Sequence, residues 1–129
     1  VEMGTAFMAS EECPVHPNVK NAIVQATDRD IVACGQSTGE PSWQIRNALA
    51  EKLLNIEQEY PWTQAADLIR KASEGSLRIA SLEGEGEEHG AVMGGQVAGL
   101  IHQIRPVSQL VSDFCHQWQQ YLTQSYSVF

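Results

Sequence analysis

The longest regular pattern lies at the end of the chain. After Pro106, the residues Val107, Leu110, Val111, Phe114, Trp118, Tyr121 and Leu122 recur at steps of three and four. This predicts one long amphipathic helix whose apolar stripe needs a surface to cover. Val19, Ile23 and Ala26 give a similar face behind Pro17, which suits a first helical position, and that helix should end near Thr27-Asp28. Ser42 suits an N-cap for a helix carrying Ile45, Ala48, Leu49, Leu53 and Ile56 up to about Glu59, where Pro61 breaks the pattern. Thr63 is the expected cap of a shorter helix with Ala66, Leu68, Ile69 and Ala72, closed by Gly75, and another short helix is expected over Ser76–Leu82. Val97, Leu100, Ile101 and Ile104 predict a helix over about 92–104. Gly35–Pro41 and the acidic, glycine-rich Gly84–Gly90 read as loops, the second as a mobile connector or, alternatively, a lid.

Only Val1–Phe7 reads as a strand, ending at Gly4-Thr5-Ala6-Phe7. The expected architecture is therefore one strand followed by about six helices. A lone strand builds no sheet, so this pattern expects partner strands on another segment or another chain.

Charge and cysteine usage narrow the partners. The 129 residues carry 16 acidic and 8 basic side chains, a net charge of -8. Such a surface repels phosphate backbones, so no nucleic acid and no anionic membrane is expected as a partner. Cys13, Cys34 and Cys115 are odd in number and widely spaced, which predicts reduced thiols in a cytoplasmic protein and no zinc site. No apolar run reaches the roughly 18 residues of a membrane helix.

Two segments offer candidate chemistry. Gly4-Thr5 at a strand end places a side-chain-free amide beside a hydroxyl, as a phosphate requires; an ordinary turn needs the same residues. In Met93-Gly94-Gly95-Gln96, adjacent glycines at a helix start cost about 1 kcal/mol each relative to alanine. Close approach of a ligand explains that cost, with Gln96 offering a donor and an acceptor to a flavin edge or a substrate. Tight helix packing through Gly95 and Gly99 explains it as well. His16, beside a helix N-terminus, reads either as facing an anion or as making a local hydrogen bond. Glu83, Glu85, Glu87 and Glu88 read as solvation rather than as a paired acid and base, and no catalytic residue or metal ligand is assigned.

The order of Met3-Gly4-Thr5-Ala6-Phe7, Glu11, His16-Pro17 with Lys20, Asp30, Pro41 with Arg46-Asn47, Gly75-Ser76-Leu77 and Ala91-Val92-Met93-Gly94-Gly95-Gln96-Val97-Ala98-Gly99-Leu100 resembles the C-terminal portion of the nitronate monooxygenase (2-nitropropane dioxygenase) family. The last run is closer to its flavin-dependent enoyl-acyl-carrier-protein reductase branch, with Gly94 in place of an alanine. The resemblance implies an α/β fold: the C-terminal part of a (β/α)8 TIM barrel with a helical insertion, mostly helical as an isolated segment. Residues 1–29 would be the last strand and helix of an FMN-binding barrel, 30–88 the insertion, and 89–129 the return to the barrel. It implies FMN as cofactor, with Gly4, Thr5, Met93, Gly94, Gly95 and Gln96 as its binding residues. It also implies a small-molecule substrate (an alkyl nitronate or, alternatively, an enoyl thioester), NAD(P)H as an optional co-substrate, and the remaining barrel segment as a partner. A homodimer is left open. A full barrel needs about 250 residues. The family's catalytic histidine lies upstream, so the expectation is that this segment turns over nothing by itself. The competing reading from another class is a non-catalytic helical interaction module built on the stripe from Val107 to Leu122.

Overall fold

A computed structural model describes residues 3–126 of the chain. A short helical turn α1 (Thr5–Met8) leads to α2 (Pro17–Gln25) and a hairpin of β1 (Ile31–Cys34) and β2 (Ser42–Ile45). Then come α3 (Ala48–Glu59), α4 (Trp62–Ala72), α5 (Ser76–Arg78), which runs on as one π turn over Ile79–Glu83, and finally α6 (Val107–Tyr126). Short 3₁₀ turns occupy Asp28–Asp30, Gln36–Thr38 and Gln96–Leu100.

The antiparallel hairpin divides the core. Its register sets Ile31 against Ile45, Val32 against Gln44, Ala33 against Trp43 and Cys34 against Ser42. Successive residues face opposite sides of a strand. Ile31 and Ile45 accordingly pack with Ala9, Val19, Ile23, Ala26, Ala80, Val92 and Ala98, whereas Val32 and Cys34 pack with Leu49, Ala50, Leu53, Ile69 and Ala91. Lys20, on α2, is almost wholly buried, and its ammonium donates to the Glu11 carbonyl at 3.1 Å.

Several expectations hold. Pro17 opens α2, Val19 and Ile23 form its buried face, Glu59 ends α3, and residues 76–83 are helical. Gly75 takes a left-handed φ of 72°, which glycine adopts without strain. Others need correction. Ser42 caps no helix: it opens β2, and the cap is Asn47, whose side chain accepts from the Ala50 N–H at 2.8 Å. Thr63 lies inside a helix that starts after Pro61. Ile31-Val32-Ala33-Cys34, read as no element, is a strand, because a four-residue apolar run carries no period that separates helix from strand.

The strand expected over Val1–Phe7 is not formed in its described part. Met3 and Gly4 precede a helical turn that begins at Thr5, closed by Met8 N–H to the Gly4 carbonyl at 3.0 Å; Val1 and Glu2 lie outside the described residues. Without a neighbouring strand to pair with, the backbone satisfies itself locally.

The expected helix over 92–104 is also absent. Residues 92–94 run extended beside β2, with Ile45 N–H on the Val92 carbonyl at 2.8 Å and Gly94 N–H on the Trp43 carbonyl at 3.1 Å, and only Gln96–Leu100 turns helically. Three glycines lower helix propensity there, and the free edge of β2 offers the better partner.

Along α6, Leu110 is buried at the start of the predicted stripe, whereas Val111, Phe114, Trp118, Tyr121 and Leu122 are exposed.

Candidate functional site

Pairing of residues 92–94 with β2 carries the chain directly to α1. The Gly95 N–H donates to Thr5 Oγ1 at 3.0 Å, so Thr5 and the glycine pair, ninety residues apart in sequence, meet. Thr5 is buried, Gly4 and Gln96 are exposed, and Met93 and Gly95 are half-buried. Thr5 keeps its own O–H as a donor, and the first amides of a helical turn have no acceptor within the turn.

The two glycines need not be glycine for any internal reason. Gly95 has φ -89° and ψ 173°, and neither it nor Gly94 takes the left-handed conformation. A Cβ on Gly95 would meet only Thr5 Oγ1 at 3.7 Å, and one on Gly94 would meet Ile45 at 3.5 Å and Thr5 at 3.8 Å, both ordinary contacts. Of the two explanations open at the sequence level, tight packing accounts for Gly99, whose Cβ would lie 2.9 Å from the Asp28 amide nitrogen. It does not account for Gly95. The amides of Gly94 and Gly95 are taken by the Trp43 carbonyl and Thr5, so their contribution to a ligand would be room for close approach rather than hydrogen bonds.

Two clefts flank this point and share Leu100 and His102. One, of about 270 Å³, is bordered by Ala6 and Arg105; the other, of about 450 Å³, by Gln96, Gly99 and Asp28.

The acidic loop is tied down rather than loose. The Glu85 carboxylate accepts from the N–H groups of Glu87, Glu88 and His89 at 2.7–2.8 Å. The backbone N–H of Glu88, first, and those of Glu87 and His89 hold the Glu85 carboxyl below the usual range. Asn47 Nδ2 donates to the carbonyls of Gly86 and Gly90 at 2.7 and 2.8 Å, and Asn18 to that of Gly84 at 2.8 Å. Asn47 thus caps α3 and clamps the loop at once.

His16 makes the local bond. It is the N-cap of α2, accepting from the Asn18 N–H at 3.2 Å, and its ring lies where a side chain on Gly84 would be. The Asp30 carboxyl is lowered by hydrogen bonds from the Thr27 backbone N–H and hydroxyl. Burial pushes the Cys34 thiol up to about 11, which makes it an inert thiol rather than a nucleophile. The three cysteines are free, and no group of acidic, histidine and cysteine side chains among the described residues is arranged to hold a metal. No described helix is long and apolar enough to cross a membrane.

The sequence reading passed over Gln44, which is buried within β2 with its Oε1 unpartnered among the described residues. Nothing in the periodicity marks it. Asn47 was readable, since an Asn directly before the apolar-periodic Ala48 and Leu49 is a cap signal.

Comparison with known proteins identifies the family. Residues 1–117 match the family model "Nitronate monooxygenase". A "Probable nitronate monooxygenase" of Staphylococcus saprophyticus subsp. saprophyticus is 36% identical over 61 residues, covering 47% of this chain and 17% of the relative. The solved structure of FabK from Thermotoga maritima is similar over 98% of this chain and 39% of its own, with a TM-score of 0.86 and 38% identity. A point mutant of that protein gives a TM-score of 0.79 at 33% identity, over 98% of this chain and 36% of its own. The chain thus spans well under half the length of these relatives. With the family model matching nearly all of the chain, the protein belongs to the nitronate monooxygenase family.

Proposed function

We propose that this chain forms the C-terminal part of an FMN-dependent oxidoreductase. The observation that carries the reading is the meeting of Thr5 with Gly94-Gly95: a glycine pair whose backbone angles and neighbours would admit side chains, held beside a helical turn by the Gly95–Thr5 hydrogen bond. Bound FMN would supply the redox chemistry. The backbone amides of Gly4 and Thr5, at the start of the turn, would hold its phosphate. Gly94 and Gly95 would let the flavin lie against the backbone, and Met93 and Gln96 would flank it, Gln96 as donor and acceptor to its polar edge.

The domain plan follows the same reading. Residues 1–29 would end a (β/α)8 barrel, 30–88 would be the insertion that covers the flavin face, and 89–129 would return to the barrel. The exposed part of the α6 stripe would lie on the remainder of that barrel. In this plan the protein is cytoplasmic and takes a small-molecule substrate.

The family match favours oxidation of an alkyl nitronate. The resemblance to FabK over 98% of the chain supports a second reading, NADH-dependent reduction of an enoyl thioester. Purified full-length protein decides between them. Nitronate consumption without NADH supports the first, and NADH oxidation dependent on an enoyl thioester the second. A protein that neither carries nor takes up FMN contradicts both.

A further inference from the structure

One face of the hairpin is covered for only part of its length. Ile31 and Ile45 are buried on it, with Val92 beside them and with Val19 and Ile23 of α2 above. Residues two apart in a strand share a face. Trp43 therefore stands on that same face, one step beyond Ile45, and there the cover stops: Trp43 is 51% exposed. Its neighbours in the sheet are small. Ala33 lies opposite it on β1, and on the other side its carbonyl accepts from the Gly94 N–H at 3.1 Å. A side chain on Gly94 would point to the same face, since its Cβ would meet Ile45 and Thr5. The indole is not folded over Gly94 to fill that space, because the three atoms nearest such a Cβ belong to Ile45 and Thr5. An aromatic ring of this size ordinarily buries itself. Here it stands uncovered next to the glycine pair and the turn at Thr5.

We infer that Trp43 packs its indole against the ring system of FMN. The inference rests on the FMN reading above and adds a residue to it. A ring lying against the backbone of Gly94 and Gly95 has Trp43 as its neighbour across the strand pair. Side chains at cross-strand positions start only about 4.5–5.5 Å apart, less than the length of an indole, so the two rings come into contact. The indole is electron-rich and the flavin ring electron-poor, which favours an offset stack. Ala33 and Gly94, on either side, leave the ring room to lie flat.

Contact with an indole quenches flavin emission, whereas contact with phenylalanine or leucine does not, and this gives a readout that needs no substrate. The test compares full-length parent protein with Trp43→Leu, Trp43→Phe and Trp62→Leu, each saturated with FMN. Trp62, exposed at the start of α4, is the control. Because both tryptophans are exposed, melting temperatures are expected to stay at the parent value. Trp43→Leu is expected to raise the emission per bound FMN severalfold and to weaken binding about fivefold. Trp43→Phe keeps a flat ring and is expected to raise the emission while holding most of the affinity. Trp62→Leu is expected to change neither. No rise in emission in Trp43→Leu, or an equal rise in Trp62→Leu, in a protein that still binds FMN overturns this inference alone. A parent protein that takes up no FMN overturns it together with the cofactor reading, so the two failures are told apart.

Discussion

Thr5 Oγ1 accepts a hydrogen bond from the Gly95 amide at 3.0 Å across ninety residues of sequence, and this contact ties the first helical turn to the segment that returns along β2. Thr5→Val keeps the shape and removes the acceptor. With Thr5 buried, the orphaned amide should lower stability by about 1–2 kcal/mol, and Thr5→Ser should restore most of it. Denaturant midpoints of the two variants check this.

Asn47 serves two structures at once. Its Oδ1 accepts from Ala50 N–H at the start of α3, and its Nδ2 donates to Gly86 and Gly90. Asn47→Ala should cost about 2–3 kcal/mol, more than a simple cap. Asn47→Asp should recover the cap but not the loop. Amide hydrogen exchange in residues 84–90 should rise in both variants, whereas denaturant midpoints should recover in part only for Asn47→Asp.

Cys34 predicts an alkaline limit. Its folded-state pKa, about 11, lies above the ordinary 9.0, because the buried site disfavours the thiolate. A raised pKa contributes stability that is present below pH 9 and is lost as pH climbs toward 11. The expected loss is about 1–2 kcal/mol, absent in Cys34→Val. Melting temperatures across that window test it.

Glu85 acts in the opposite direction. Hydrogen bonds from the backbone of Glu88, Glu87 and His89 lower its pKa, so its contribution is complete above the ordinary carboxylate range and is lost as pH falls through the lowered folded value. Acidification should loosen residues 84–90, and Glu85→Gln should loosen them at neutral pH too. Proteolysis or hydrogen exchange of the loop reads this directly.

The helices were legible where period and punctuation agreed. Pro17 with Val19 and Ile23, and Pro61 after Glu59, left little choice of register. The hairpin was not legible. Ile31–Cys34 is too short to show a period, and Ile45 falls into step with Ala48 and Leu49, so Ser42–Ile45 reads as a helix start when only local spacing is considered. What selects the strand is its partners: Ile31 across the register, and Val92 and Gly94 along the other edge. Contacts over such distances leave no trace in a local window, and the same holds for residues 92–94, which the pattern placed in a helix. The candidate site was legible as residue types, since the glycines and Thr5 stood out. Their meeting was not, because it depends on that edge pairing.

Gly95 offers the most direct test of the central claim. Within the described chain a Cβ there meets nothing closer than 3.7 Å, and φ is -89°, so Gly95→Ala should fold with unchanged melting temperature. Gly90→Ala serves as contrast: its Cβ would fall 1.8 Å from the Glu85 carbonyl oxygen, which should destabilise the protein by about 1–3 kcal/mol. The measurement is a fluorescence titration of full-length protein with FMN. The account predicts binding of one FMN by the parent protein and at least tenfold weaker binding by Gly95→Ala at equal stability. A parent protein that leaves FMN fluorescence unchanged, or a Gly95→Ala variant that binds FMN as well as the parent, would contradict it.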